Sequence, residues 1–153
     1  MDGAGGRSTP GRLPPRPRVL LADDHARLRE ALRDLLEETG FEVVGESGDG
    51  ADAVALARQL EPDIVLIDLR MPVLNGLDAT KLIKDGRPAT QVVVLSAFES
   101  PELERQAQEA GAYAYLDKGT MARRLHRVLL GAAVHAVLAA APAPGPEGPG
   151  PDA

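Results

Sequence analysis

The chain has 153 residues, 17 basic against 23 acidic, a formal charge of −6, and neither cysteine nor tryptophan. That length supports one domain with one core, and the absence of thiols excludes disulfide scaffolds, thiolate zinc sites and cysteine nucleophiles. The acidic balance argues against a nucleic-acid binder, whose footprint is a basic stripe. Proline is concentrated at the ends: of 13, four lie in residues 1–18 and five in residues 142–153. Residues 1–17 and 142–153 therefore read as disordered tails around a folded unit at 18–141, because they lack the apolar side chains that offset ordering entropy. No apolar core follows the arginines of the head, as a secretory signal requires. The most apolar run, Leu129–Ala141, is shorter than the roughly 20 residues of a membrane span. A soluble, cytoplasmic protein is the expectation.

Between the tails, short apolar runs alternate with amphipathic stretches. Val19–Ala22 predicts a first strand, ending in two aspartates. Residues 26–39 place Leu28, Leu32, Leu35 and Leu36 on one helical face, and Gly40 stops that helix. Phe41–Val44 predicts a second strand, and Ala51–Leu60 a helix that Pro62 bars from continuing. Ile64–Ile67 is the strongest strand signal, apolar on both faces, and it ends in Asp68. The turn residues Met71–Gly76 lead into a helix over about 77–85. Val92–Leu95 predicts the fourth strand, ending at Ser96, and Pro101 suits the first turn of a helix reaching Ala110. Ala112–Leu116 predicts a fifth strand, with a long helix from about Thr120 to Ala141.

Five strand-then-helix units with uniformly apolar strands predict an α/β fold: a doubly wound, five-stranded parallel sheet covered by helices on both faces. Ligands in such sheets bind outside the carboxyl ends of the strands. Those ends carry Asp23 and Asp24, Asp68, Ser96 and, after the fifth strand, Lys118. Converging carboxylates repel one another unless a cation lies among them, and hard oxygen donors in a partly open site suit Mg²⁺. A carboxylate beside such a metal can act as nucleophile toward a phosphoryl group. Ser96 and Lys118 supply a hydroxyl and an ammonium for the phosphoryl oxygens. Any one of these aspartates alone is better read as a helix cap. Chance capping does not explain the set.

At these residues the chain resembles the receiver domain of two-component response regulators, in the NarL/FixJ-like branch. Leu21-Ala22-Asp23-Asp24-His25 is similar to the family's acidic-pair signature, and Asp68-Leu69-Arg70-Met71-Pro72 with Gly76 to its phosphoacceptor strand and turn. Ser96-Ala97 and Lys118 fall at its Ser/Thr and Lys positions. The resemblance implies a flavodoxin-like strand order 2-1-3-4-5 and phosphorylation of Asp68 by a histidine kinase or phosphotransfer protein. It further implies Mg²⁺ held by Asp23, Asp24, Asp68 and the backbone carbonyl of Arg70. Ser96 and Lys118 would hold the phosphoryl oxygens, and Tyr115 would rotate inward as Ser96 is drawn toward them. Arg70 and Phe98 flank the path of attacking water in the family, so the bulky pair is expected to restrain hydrolysis. Beyond phosphorylating and dephosphorylating itself, no enzymatic activity is implied. Output is expected through a downstream protein, with no direct DNA binding, since only a Pro/Ala/Gly tail stands where the branch carries a helix-turn-helix domain. The apolar last helix admits a homodimer.

A second departure and several rivals bear on this reading. Lys118 precedes Gly119, where many receivers have a cis proline, which leaves the loop's geometry open. A pseudo-receiver, acting as an interaction module without phosphate cycling, is the first alternative. A nucleotide-binding α/β domain is the second, because Gly48-Asp49-Gly50-Ala51-Asp52-Ala53 satisfies the loose pattern G-x-G-x-x-A. That stretch follows the second strand, however, and a cap at Asp49 explains it. A dehalogenase-type phosphatase would need an acid two residues after Asp68, where Arg70 stands. His25, His126 and His135 are too scattered for a zinc site. Arg123, Arg124 and Arg127 read as a solvated helix face.

Overall fold

The computed structural model describes residues 15–141. The expected tails at 1–14 and 142–153 lie outside the described residues. Residues 15–17, assigned by composition to the head, are described. Arg16 donates to the Glu37 carbonyl at 2.9 Å, and the Pro17 carbonyl accepts from the Glu42 amide at 2.9 Å.

The chain alternates β1 (Arg18–Ala22), α1 (Ala26–Glu38), β2 (Glu42–Ser47), α2 (Gly50–Leu60), β3 (Ile64–Asp68), α3 (Gly76–Gly86), β4 (Gln91–Ser96), α4 (Pro101–Glu109), β5 (Ala114–Asp117) and α5 (Met121–Ala140). All strand pairs are parallel, in the order β2-β1-β3-β4-β5. β3 and β4 are buried at every residue because helices cover both of their faces. One apolar layer joins Leu20, Val65, Ile67 and Val94 to α2 and α3, and the other joins Leu21, Leu66, Val93 and Leu116 to α1 and α5.

Local chemistry sets the helix starts. Asp49, Asn75 and Ser100 each accept from the amide three residues on, satisfying a donor that the first helical turn leaves free. α2 ends at Glu61, which turns left-handed (φ 50°) before Pro62.

Two boundaries differ from the sequence expectation by more than one residue. β2 runs on to Ser47, because Gly45-Glu46-Ser47 continue to pair with Leu20–Ala22 after an irregularity at Val19/Leu20. Gly45 faces Leu60 and Leu20 closely, so this glycine makes room for packing and does not end the strand. β5 begins at Ala114, two residues later than expected. The Ala112 amide is occupied in closing α4, donating to the Ala107 carbonyl at 2.9 Å. No described helix is long and apolar enough to cross a membrane.

Candidate functional site: an acidic pocket at the strand ends

Parallel strands present their carboxyl ends on one edge of the sheet, and register brings particular residues together there. Ala22 lies beside Ile67, Asp68 beside Leu95, and Ser96 beside Asp117. Asp23, Asp68, Ser96 and Lys118 are thereby set in a row. The Lys118 amide locks the last member by donating to the Ser96 carbonyl at 2.7 Å.

Lys118 Nζ lies 2.9 Å from Asp23 Oδ2 and 3.2 Å from Asp68 Oδ1, bridging the two carboxylates. Both acids are buried, at 2 % and 5 % exposure. Asp23 Oδ1 accepts from the His25 amide at 2.8 Å. Asp23 Oδ2 is also buried, and the Lys118 ammonium is its close neighbour. Three carboxylates thus share one ammonium, and the negative charge left over is what a further cation would balance. Oxygens of Asp23, Asp24 and Asp68, with a ring nitrogen of His25, lie within 4.8 Å of one another. His25 Nδ1 is 3.4 Å from Asp23 and 3.2 Å from Asp24. The three carboxylates fit a hard divalent cation.

Burial pushes the Asp68 carboxyl above its ordinary range. The neighbouring charges of Asp23 and Asp24 push the same way, and Lys118 opposes them. Burial pulls the Lys118 ammonium down, but the Asp23 and Asp68 carboxylates outweigh it and raise its pKa.

The β3–α3 loop is folded tightly against this edge. The Gly76 amide returns to the Leu69 carbonyl at 2.8 Å, and a Cβ at Gly76 would fall 2.4 Å from the Asp68 carbonyl oxygen. Val73 turns left-handed (φ 72°) at the exposed tip, an uncommon state for a β-branched residue. Beside the acids this loop and α4 enclose a depression of about 530 Å³, whose walls include Asp24, Arg70, Met71 and Leu103.

Phe98 links Ser96 to Tyr115, the two residues expected to act as the switch. Its amide donates to Ser96 Oγ at 3.1 Å, and its carbonyl accepts from the Tyr115 hydroxyl at 2.7 Å. The Arg70 guanidinium lies over its ring, 5.2 Å from the centroid. Tyr115 is already buried in this arrangement. The loop after Lys118 is held by Asp117, whose carboxylate accepts from the Gly119 amide at 3.2 Å and lies 3.5 Å from the Thr120 hydroxyl.

Sequence reasoning missed Arg29. Its guanidinium donates to the Asp23 main-chain carbonyl and, at 3.2 Å, to Glu46, which also pairs with Arg33 at 2.8 Å. In the sequence Arg29 is one more polar residue of an amphipathic helix; only the packing of α1 beside β2 brings it to the acidic turn. His126 and His135 lie elsewhere, edge-on to Phe41 and Tyr113.

The glycine motif at 48–53 has a packing role. A Cβ at Gly50 would lie 1.8 Å from the Leu74 carbonyl oxygen, and the Gly50 amide donates to the Pro72 carbonyl at 3.2 Å. The start of α2 is thus covered by the β3–α3 loop and capped by Asp49, with no room for a pyrophosphate.

Comparison with known proteins agrees with this geometry. The response regulator receiver domain family matches residues 19–130, and the chain belongs to that family. It is 48 % identical over 101 residues to the transcriptional regulatory protein PdtaR of Mycobacterium tuberculosis, covering 66 % of this chain and 49 % of that protein. The chemotaxis protein CheY of Thermotoga maritima is 40 % identical over 101 residues, covering 66 % of this chain and 84 % of its own length. Among solved structures, the signal receiver domain of the response regulator NarL from M. tuberculosis superposes with a TM-score of 0.75 at 32 % identity. That match covers 79 % of this chain and 98 % of the other. The chain spans about half the length of PdtaR. It carries the phosphoaccepting signalling module of two-component systems, in the flavodoxin-like arrangement expected from its sequence. Such domains act with a histidine kinase or phosphotransfer partner and bind Mg²⁺ in an acidic pocket.

Proposed function

We propose that Asp68 is the phosphoacceptor and that residues 18–141 form the receiver unit. The observation that carries this reading is the Lys118 ammonium, bridging Asp68 to a buried Asp23 beside a third carboxylate, Asp24. Asp23, Asp24, Asp68 and the Arg70 carbonyl would hold Mg²⁺, which when bound supplies positive charge against the acids and the incoming phosphoryl oxygens. An Asp68 oxygen attacks phosphorus as the P–N bond of the donor's phosphohistidine breaks, and the electron pair of that bond stays on the imidazole nitrogen. Lys118 and Ser96 hold the transferred oxygens.

For Ser96 to do so, its Oγ turns from the Phe98 amide toward the phosphoryl group, and the Phe98 carbonyl carries that movement to Tyr115. The chain catalyses only its own phosphorylation and dephosphorylation, and it works in the cytoplasm. Its output is contact with a downstream protein.

The test is incubation with Mg²⁺ and acetyl phosphate or phosphoramidate, followed by intact mass. A gain of one phosphoryl group that D68N abolishes is the expected result. No gain with these donors or with a phosphorylated phosphotransfer protein would leave a phosphorylation-independent interaction module in its place.

A further inference from the structure

The Asp23 carbonyl belongs to the peptide that joins the two adjacent acids, and a planar peptide turns as one piece. Asp23 itself is fixed on two other sides: its amide donates to the Ser47 carbonyl at 3.0 Å, and its Oδ1 accepts from the His25 amide. What remains free to set the direction of Asp24 is the plane of the Asp23–Asp24 peptide. The start of α1 does not fix that plane. His25, its N-cap residue, makes no capping hydrogen bond, whereas α2, α3 and α4 each have a capping side chain. Among the described residues no backbone amide donates to the Asp23 carbonyl. The Arg29 guanidinium does.

Arg29 is oriented in turn by Glu46 of β2. Its Nε donates to Glu46 Oε1 at 3.2 Å, and Arg33 occupies Oε2 at 2.8 Å. The Arg29 and Glu46 side chains are only 21 % and 26 % exposed. A guanidinium is suited to this task because its rigid fork serves a carbonyl and a carboxylate at once.

We infer that Arg29 is the positioning residue of the acidic turn, holding the Asp23–Asp24 peptide so that both carboxylates face one divalent cation. It acts through that peptide and not by contact with the cation. The inference rests on the reading of Asp23 and Asp24 as cation ligands. Removing Arg29 has two consequences of opposite sign. Loss of a positive charge near the pocket by itself favours a cation. Loss of the donor frees the peptide plane, so the turn must be ordered at the expense of binding. Glu46 already offsets the Arg29 charge, and the second consequence therefore prevails.

Calorimetric titration of Mg²⁺ into the full chain reads the sign. R29M keeps much of the stem but neither charge nor donors, and should raise Kd about tenfold. R29K keeps the charge without the fork and should raise it about threefold, as should E46Q, which loosens the guanidinium. Urea unfolding records any loss of stability separately. Phosphorylation of R29M by acetyl phosphate should be slow at limiting Mg²⁺ and return to within about twofold of the unaltered rate at saturation, the mark of a binding defect. An unchanged or lower Kd in R29M, where the unaltered chain binds Mg²⁺, overturns this inference alone. If R29M does not fold, an unchanged Kd in E46Q has the same consequence. No binding by the unaltered chain overturns the reading of Asp23 and Asp24 as ligands, and this inference with it.

Discussion

At position 68 a buried carboxylate faces two others, with one ammonium to balance them. Its raised pKa means that the native state holds the Asp68 proton more tightly than the unfolded chain does. Ionisation of Asp68 therefore costs stability as pH rises through and above the ordinary value of 3.8. In metal-free buffer at pH 7, D68N should unfold at higher urea by about 1–2 kcal/mol, the ordinary size of a single-site effect. The gain should fade below the ordinary carboxylate range, where Asp68 is protonated in both states, and saturating Mg²⁺ should narrow it at pH 7. A second residue-level expectation concerns Arg70 and Phe98, whose guanidinium–ring contact bridges the loops on either side of Asp68. Replacing either with alanine should speed hydrolysis of the aspartyl phosphate by about two- to tenfold, no more than about 1.4 kcal/mol of barrier. Loss of the phosphorylated species by intact mass reads this directly, and unchanged rates in both variants would end the shielding idea.

Between elements, the β3–α3 loop is the busiest joint. It places Gly76 against the Asp68 carbonyl and rests Leu74 on Gly50 at the start of α2. G50A should therefore destabilise the protein by about 1–3 kcal/mol or more, as overpacking does. It should also weaken Mg²⁺ binding, since the displaced loop carries Arg70; calorimetric titration beside urea unfolding separates the two effects. The elements themselves were legible in the sequence, because helical stripes of Leu and buried runs of Val and Ile leave different periods. Their ends were less so. The apolar run of the second strand stops at Val44, and only the pairing of Gly45 with Leu20 and its contact with Leu60 show a packing glycine inside β2. The apolar character of α5 was visible in composition, but which of its residues are exposed depends on which face the sheet takes.

For the whole molecule, the proposed unit makes a simple claim about the ends. A chain trimmed to residues 15–141 keeps Arg16 and Pro17 on their partners, Glu37 and Glu42. Its unfolding free energy should match that of the full chain within about 0.5 kcal/mol, since what is removed is Pro/Gly-rich and poor in apolar side chains. A larger loss in denaturant melts would show that the removed residues pack on the domain. Sequence by itself determined the alternation of strands and helices, the class of sheet, and the candidate residues at its carboxyl edge. These follow from periodicity and from which residues end each buried run, both local properties of the chain. Tertiary structure alone decided that Lys118 bridges Asp23 and Asp68, that Arg29 grips the acidic turn, and that Phe98 links Ser96 to Tyr115. It also decided that Gly50 serves packing and not a nucleotide. Each of these depends on side chains far apart in sequence meeting at a few ångströms, and strand register and helix rotation, not local pattern, set those distances.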